Sequence, residues 1–344
     1  MISRSREWAA RLLLIALSLI VALACCELWL RSFDRPWGMA LVPHPASPRL
    51  ACLPPSATGV IAGVPVRTNA SGYRGAELDV AKAPGTFRIA LLGDSMTFGW
   101  GVRDEETFAV QLAEMLADAF PDRRWEVENF AMIGSNTAQQ AEAFALDVAP
   151  RAPDLVLVGF FMNDVDPPVL AAAAKTAAPA AGIAPAPRRA SRLRVPPLRT
   201  VQFVKSRGAA LARRFGIAPR GSAVGRYADT FAARAPGWLA CEAGIRTLAT
   251  DVRASGGRFG VVVLPFIVSL DDSYPLRAAH EQVVAFCASA AIEHLDLLPA
   301  FLGKSASALS VTPLDNHMNA AGHAIAARAI FDWISRNGMI GDAP

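Results

Sequence analysis

A chain of 344 residues, 53% of them apolar and with a net charge of +4, has ample material for one large core or two modest ones. Its five cysteines make neither a disulfide framework nor a metal-ligand spacing, and it carries no HExxH segment or calcium loop. A disulfide-stapled scaffold is thereby excluded, and nothing signals a metal requirement.

The first element is the apolar run LLLIALSLIVALACC, residues 12–26, which follows the basic start MISRSREWAAR. Three readings fit residues 1–31. An uncleaved membrane anchor is favoured by Leu28-Trp29-Leu30, which continues the apolar stretch, and by Arg11 and Arg31, which can snorkel at its two ends. A cleaved signal peptide is favoured by the short apolar core and the small-residue site Ala22-Leu23-Ala24. A lipoprotein through Cys25 or Cys26 is the weakest, because neither cysteine has the usual preceding residues. All three carry the rest of the chain across a membrane, although the arginines flanking the run give only a mild orientation bias.

Residues 32–63 are proline-rich, lack periodicity and read as a linker. VPVRTNASGYRG, residues 64–75, predicts a small β-element with a turn at 69–72. A regular rhythm then begins with the buried strand FRIALL, residues 87–92. TFAVQLAEMLADAF follows, a helix with Phe108, Leu112, Met115 and Leu116 on one face. WEVENFAM reads as a strand, TAQQAEAFALDVA as a helix and DLVLVGFF as a second buried strand. Later come a helix near 237–254, the strand RFGVVVLPF, a helix near 276–290, the strand HLDLL and a last helix over about 320–336. This alternation predicts an α/β fold, a parallel sheet covered on both faces, because parallel connections require crossovers. Sites in such sheets lie beyond the C-terminal strand ends. Gly93-Asp94-Ser95, Gly134-Ser135-Asn136 and Asn163-Asp164 each follow a predicted strand, so all three are expected at one edge.

One stretch breaks the rhythm: residues 167–228 hold twelve Lys or Arg and no Asp or Glu, within an Ala/Pro-rich insertion at about 165–235. Residues 199–215 predict a basic amphipathic helix with Val201, Val204, Leu211 and Phe215 on one side. It reads either as a solvated helix capping the domain or as a segment lying on an anionic membrane or gating the site. Nucleic acid is not an expected partner, because aromatic residues are sparse there and the domain is predicted to be exported.

A nucleophilic serine needs a base, a group that orients the base, and donors for the developing oxyanion. Of the five histidines, His44 lies in the linker, and His280 and His294 have no acidic motif beside them. LDNHMNAAGH, residues 314–323, is the informative segment: Asp315 and His317 stand in a turn context ahead of the last helix, spaced so that the carboxylate can fix the imidazole. Taken singly, each piece has a plain structural reading. Gly93-Asp94-Ser95 can be a turn and N-cap, Asn163-Asp164 and Asp315 can be helix caps, and His323 can be packing.

The blocks LLGDSMTFG, NFAMIGSNT, GFFMNDV and DNHMNAAGH, in this order, resemble the SGNH/GDSL hydrolase family over roughly residues 64–335. NASGYRG followed by APGTFRIALLGDSMTFGWGV is similar to a bacterial branch with an N-terminal membrane segment. The resemblance implies an α/β/α sandwich around a flavodoxin-like parallel sheet, spanning residues 64–338, preceded by one membrane helix. It implies Ser95 as nucleophile, His317 as base and then acid, and Asp315 as its orienting group. The oxyanion hole would come from the backbone N–H groups of Ser95 and Gly134 and the side-chain amide of Asn163. Asp94 would shape the turn. The family often has proline or tryptophan where Met318 stands, and an aspartate three rather than two residues before the histidine, though both spacings occur.

The expected activity is ester hydrolysis through an acyl-serine, without cofactor or metal, on an ester-bearing small molecule, glycan or lipid. The catalytic domain would be extracytoplasmic, and secreted if residues 1–24 are cleaved. An O-acyltransferase using the same triad and a non-catalytic exported scaffold are the alternatives. A dinucleotide enzyme, prompted by Gly99-Trp100-Gly101, is set aside because Asp104 stands at the third glycine position.

Overall fold

The computed structural model describes residues 2–32, 39–77, 79–167, 223–232 and 235–341, with isolated positions between 198 and 208. They fall into two units, one of residues 1–34 and 179–219 and the other of residues 35–178 and 220–344.

In the first unit, helix α1 (Ile2–Arg31) presents exposed leucines and isoleucines between Leu12 and Leu28. From Arg11 to Arg31 it is long and apolar enough to cross a membrane, a test that a signal sequence also passes. Near its end Glu27 pairs with Arg31 at 2.8 Å and accepts from the amide and hydroxyl of Thr200 at 2.8 and 2.9 Å. Most of the helix expected over 199–215, and most of the Ala/Pro-rich run, lies outside the described residues.

The second unit corrects the linker expected over 32–63. Strands β1 (Val42–His44) and β2 (Ser47–Cys52) form one antiparallel hairpin, and β3 (Thr58–Ile61) and β4 (Val64–Arg67) form another. Prolines 43 and 48 hid the first hairpin, yet in two-stranded ribbons a missing N–H is tolerated on the unpaired side, and β4 falls within the β-element expected over 64–75. Leu50, Cys52, Ile61 and Val66 anchor the hairpins by burial. Polar ties hold the first hairpin to helix α4 (Thr137–Ala143) and the π-helical turn after it. Ser47 donates to Glu142 at 2.5 Å, Gln139 donates to the Arg49 carbonyl at 2.6 Å, and His44 meets Asp147 at 3.2 Å.

The central sheet contains β5 (Thr86–Gly93), β6 (Arg124–Asn129), β7 (Leu155–Phe160), β8 (Arg258–Val263) and β9 (Glu293–Asp296), in the order β6-β5-β7-β8-β9. Every pairing is parallel. Strand β7 is buried along its whole length, which accounts for its unbroken apolar sequence. The order steps outward from β5 to β6 and back past it to β7, so right-handed crossovers put the intervening helices on opposite faces. Helix α3 (Phe108–Ala119) packs against the last helix, Ala320–Arg336, while α4 packs against the helix Pro236–Ala254. The helix Arg277–Ser289 packs on β8 and β9.

Two local expectations change. The helix read over 137–149 is α-helical only to Ala143 and continues as π and 3-10 turns. The turn read around Asp315 and His317 is a strand, β11 (Asp315–Met318), paired antiparallel with β10 (Ser310–Thr312). Alternation along a strand puts residues two apart on one side, so Asp315 and His317 face the same way. Cys52, Cys241 and Cys287 are buried free thiols.

Candidate active site

Strand β5 ends at Gly93, and the chain turns through Asp94 into the short helix α2 (Ser95–Phe98). Asp94 caps that helix, its side chain accepting from the Met96 amide at 2.8 Å, so the turn-and-cap reading of the Gly-Asp-Ser segment is correct for the aspartate. The same turn places Ser95 at the carboxyl edge of the sheet. The loop after β6 is fastened to this point, because the Met132 amide and the Ser135 hydroxyl both donate to the Gly93 carbonyl, at 3.0 and 2.7 Å. Gly134 sits in that loop with φ +72°, a backbone conformation that favours glycine. Asn163 lies in the 3-10 turn Met162–Val165, directly after β7.

The β10–β11 hairpin delivers the histidine. Ser95 Oγ and His317 Nε2 are 2.8 Å apart, and His317 Nδ1 and Asp315 Oδ1 are 2.6 Å apart. Asp315 Oδ1 also accepts from the His317 amide at 3.1 Å, and Oδ2 accepts from the Trp100 indole N–H at 2.8 Å. Burial alone would raise the Asp315 carboxyl. The hydrogen bonds from His317 and Trp100, with the charge on His317, outweigh burial and hold it below its ordinary value. An ionised Asp315 fixes the tautomer with its proton on Nδ1, which leaves Nε2 free to take the serine proton.

Two buried carboxyls, Asp94 and Asp164, neighbour one another beside the Ser95 turn. Asp164 accepts from the Gln140 side chain at 2.9 Å and from the Phe161 amide at 3.3 Å, which closes the turn that carries Asn163. Burial and the neighbouring Asp94 push the Asp164 carboxyl well above the usual range. Burial also raises Asp94, held back by the Met96 amide, the Asn163 side-chain amide and the charge on His317.

The other histidines are occupied elsewhere. His323 is buried, accepts from the Phe108 amide at 3.2 Å and stacks on the Phe108 ring; burial, with the charges of Arg74 and His317, pushes its pKa down to about 3. That is the packing role expected of it. His280 pairs with Asp296 at 2.7 Å and with the Tyr274 hydroxyl at 3.2 Å. Among the described residues, no group of three or more His, Cys, Asp and Glu side chains is placed to hold a metal ion.

The structure thus brings Ser95, His317 and Asp315 into hydrogen-bond reach and places Gly134 and Asn163 in the loops after the two strands flanking β5. Sequence reasoning missed Trp100, Asp164 and the His280–Asp296 pair. Trp100 was visible only as part of a Gly-Trp-Gly segment, and Asp164 only as a cap. His280 and Asp296 lie on separate elements, so no local motif joins them.

Among solved structures, this chain is similar to TesA, at 13% identity with a TM-score of 0.43 over 72% of this chain and 98% of that one. It is similar to Axe2, an acetylxylan esterase from Geobacillus stearothermophilus, at 16% identity with a TM-score of 0.43 over 74% and 94% of the two chains. It is also similar to a two-domain esterase active on acetylated mannans, at 15% identity with a TM-score of 0.43 over 75% of this chain and 52% of that one. No curated protein matches the chain. Residues 91–325 match the model of one family, covering the serine turn, both loops and the histidine hairpin, and the chain belongs to that family, the GDSL-like lipase/acylhydrolases.

Proposed function

We propose that the protein is a serine esterase that cleaves carboxylic esters through an acyl-Ser95 intermediate. The observation that carries this reading is the continuous relay from Ser95 Oγ through His317 to Asp315. In the first half-reaction Ser95 Oγ bonds to the ester carbonyl carbon and its proton passes to His317 Nε2. The imidazolium then gives that proton to the departing alkoxide, which leaves as an alcohol. In the second half-reaction water attacks the acyl carbon, His317 takes its proton and returns it to Ser95 Oγ, and the carboxylic acid departs. Asp315 remains ionised throughout and stabilises the imidazolium. The backbone N–H groups of Ser95 and Gly134 and the Asn163 side-chain amide are assigned to the oxyanion, where preorganised donors act most strongly.

The substrates assigned are O-acyl groups on a glycan or lipid outside the cytoplasm, with the chain tethered through residues 11–31. The membrane-length apolar helix supports this placement. The test is a series of p-nitrophenyl esters of increasing acyl length, given to the full chain in detergent micelles. The expected result is hydrolysis with a clear chain-length preference, acetyl selectivity pointing to a glycan and long-chain preference to a lipid. Turnover in Ser95→Ala equal to the wild type would reject the mechanism.

A further inference from the structure

The turn after the serine helix is held by more than its own backbone. Arg74, buried to 4% exposure, donates to the Phe98 and Gly99 carbonyls at 3.2 and 2.6 Å and to the Val102 carbonyl at 2.7 Å. Its Nε donates to Asp104 at 2.6 Å, and its guanidinium lies over the Phe98 ring. Gly99 and Gly101, with φ of +85° and +77°, let the turn bend back between them. They also allow close approach: a Cβ on Gly101 would come within 2.7 Å of Val311, on the hairpin that carries His317. Between the two glycines stands Trp100, its amide tied to the Ser95 carbonyl at 3.1 Å.

From that position the indole meets both members of the His–Asp pair. Its N–H donates to Asp315 Oδ2, the oxygen that His317 does not use, and its ring stacks on the imidazole with centroids 5.5 Å apart and planes 30° apart. A carboxylate held at one oxygen can pivot, whereas donors on both oxygens fix its plane. The His317 side chain is 28% exposed, so the indole is a wall that restricts its rotation. The separate motifs NASGYRG and FGWG, which carry Arg74 and Trp100, thus converge on one assembly.

We infer that Trp100 is a positioning residue of the Ser95 relay, fixing Asp315 through its N–H and His317 through its ring, with Arg74 clamping the turn that aims it. This rests on the esterase reading for its consequence in turnover but not for its geometry. The test therefore uses two readouts on the full chain in detergent micelles: a [15N]histidine NMR titration of His317, and the pH profile of p-nitrophenyl acetate hydrolysis.

Trp100→Phe keeps the ring and removes the N–H. Its kcat is expected to fall about tenfold with KM within about twofold, the loss of one hydrogen bond to a charged group. With one donor gone, Asp315 directs more of its charge to the imidazolium, so the His317 midpoint and the acid limb of kcat/KM move to higher pH. Trp100→Leu removes the wall as well, and kcat is expected to fall about a hundredfold. Arg74→Lys is expected to act in the same direction and to add little on top of Trp100→Phe, because both act through one turn. An unmoved His317 midpoint and unchanged kcat in both Trp100 variants would overturn the inference. A wild type that hydrolyses no ester, with a His317 midpoint that still moves in Trp100→Phe, would reject the esterase reading and keep this one.

Discussion

The sheet's carboxyl edge carries two His–Asp pairs of nearly the same geometry, His317–Asp315 at 2.6 Å and His280–Asp296 at 2.7 Å. They differ in what lies beyond the imidazole. His317 turns its second nitrogen to a serine hydroxyl, and its side chain is 28% exposed. His280 turns its second nitrogen to the Tyr274 hydroxyl, which already accepts from the Phe266 amide at 2.9 Å, and is 0% exposed. The network ties the loop after β8 to the helix Arg277–Ser289 and to β9, and it occupies both ring nitrogens of His280. A His–Asp pair becomes chemistry only where the far nitrogen meets a nucleophile that a substrate can reach.

The largest expected effects fall on the pair that meets Ser95. Ser95→Ala and His317→Ala should each lower kcat by about a thousandfold or more with folding intact by circular dichroism, since losing one member disables the unit. Asp315→Asn should cost about a hundredfold to ten-thousandfold in kcat, through the wrong imidazole tautomer, at nearly unchanged KM.

For the pair with the buried His280 the effects should invert, with stability lost and activity kept. His280→Ala should destabilise the protein by about 2–4 kcal/mol, read by thermal unfolding, because Asp296 and Tyr274 lose partners and a cavity opens. Ester hydrolysis at a temperature where the variant is folded should stay within about threefold of the wild type. A loss in His280→Ala as deep as in His317→Ala would break the comparison.

The smallest expected effect concerns His323, neutral in the fold because its pKa lies near 3 against 6.5 ordinarily. Below pH 6.5 the unfolded chain takes up a proton that the folded chain does not, so stability attributable to this group falls as pH drops toward 3. His323→Gln removes that titration while keeping an acceptor for the Phe108 amide. Relative to it, the wild type should lose about 1.6 kcal/mol between pH 6.5 and pH 5, read from unfolding curves. The variant should keep most of its activity; if activity collapses, His323 is doing more than packing.

What could be read from sequence follows the same division. The apolar strands and the places of Ser95, Gly134 and Asn163 were legible because the strands end visibly and these residues stand just beyond them, and Asp315 and His317 were legible from their own spacing ahead of the last helix. The first hairpin was not, because prolines at 43 and 48 masked the alternation and its partners lie about 90 residues away on α4 and beyond. Trp100 was not, because its meaning depends on Asp315, 215 positions later. The His280 network was not, because nothing local marks a helix histidine as the partner of a strand aspartate.

The central claim is that Ser95 alone among the serines is activated. It is tested most directly by treating the full chain with a fluorophosphonate and locating the adduct by mass spectrometry. The account predicts one covalent adduct, on Ser95, absent in Ser95→Ala, strongly slowed in His317→Ala and formed at the wild-type rate in folded His280→Ala. No adduct under conditions that label a control serine hydrolase, or an adduct on another residue, would contradict it.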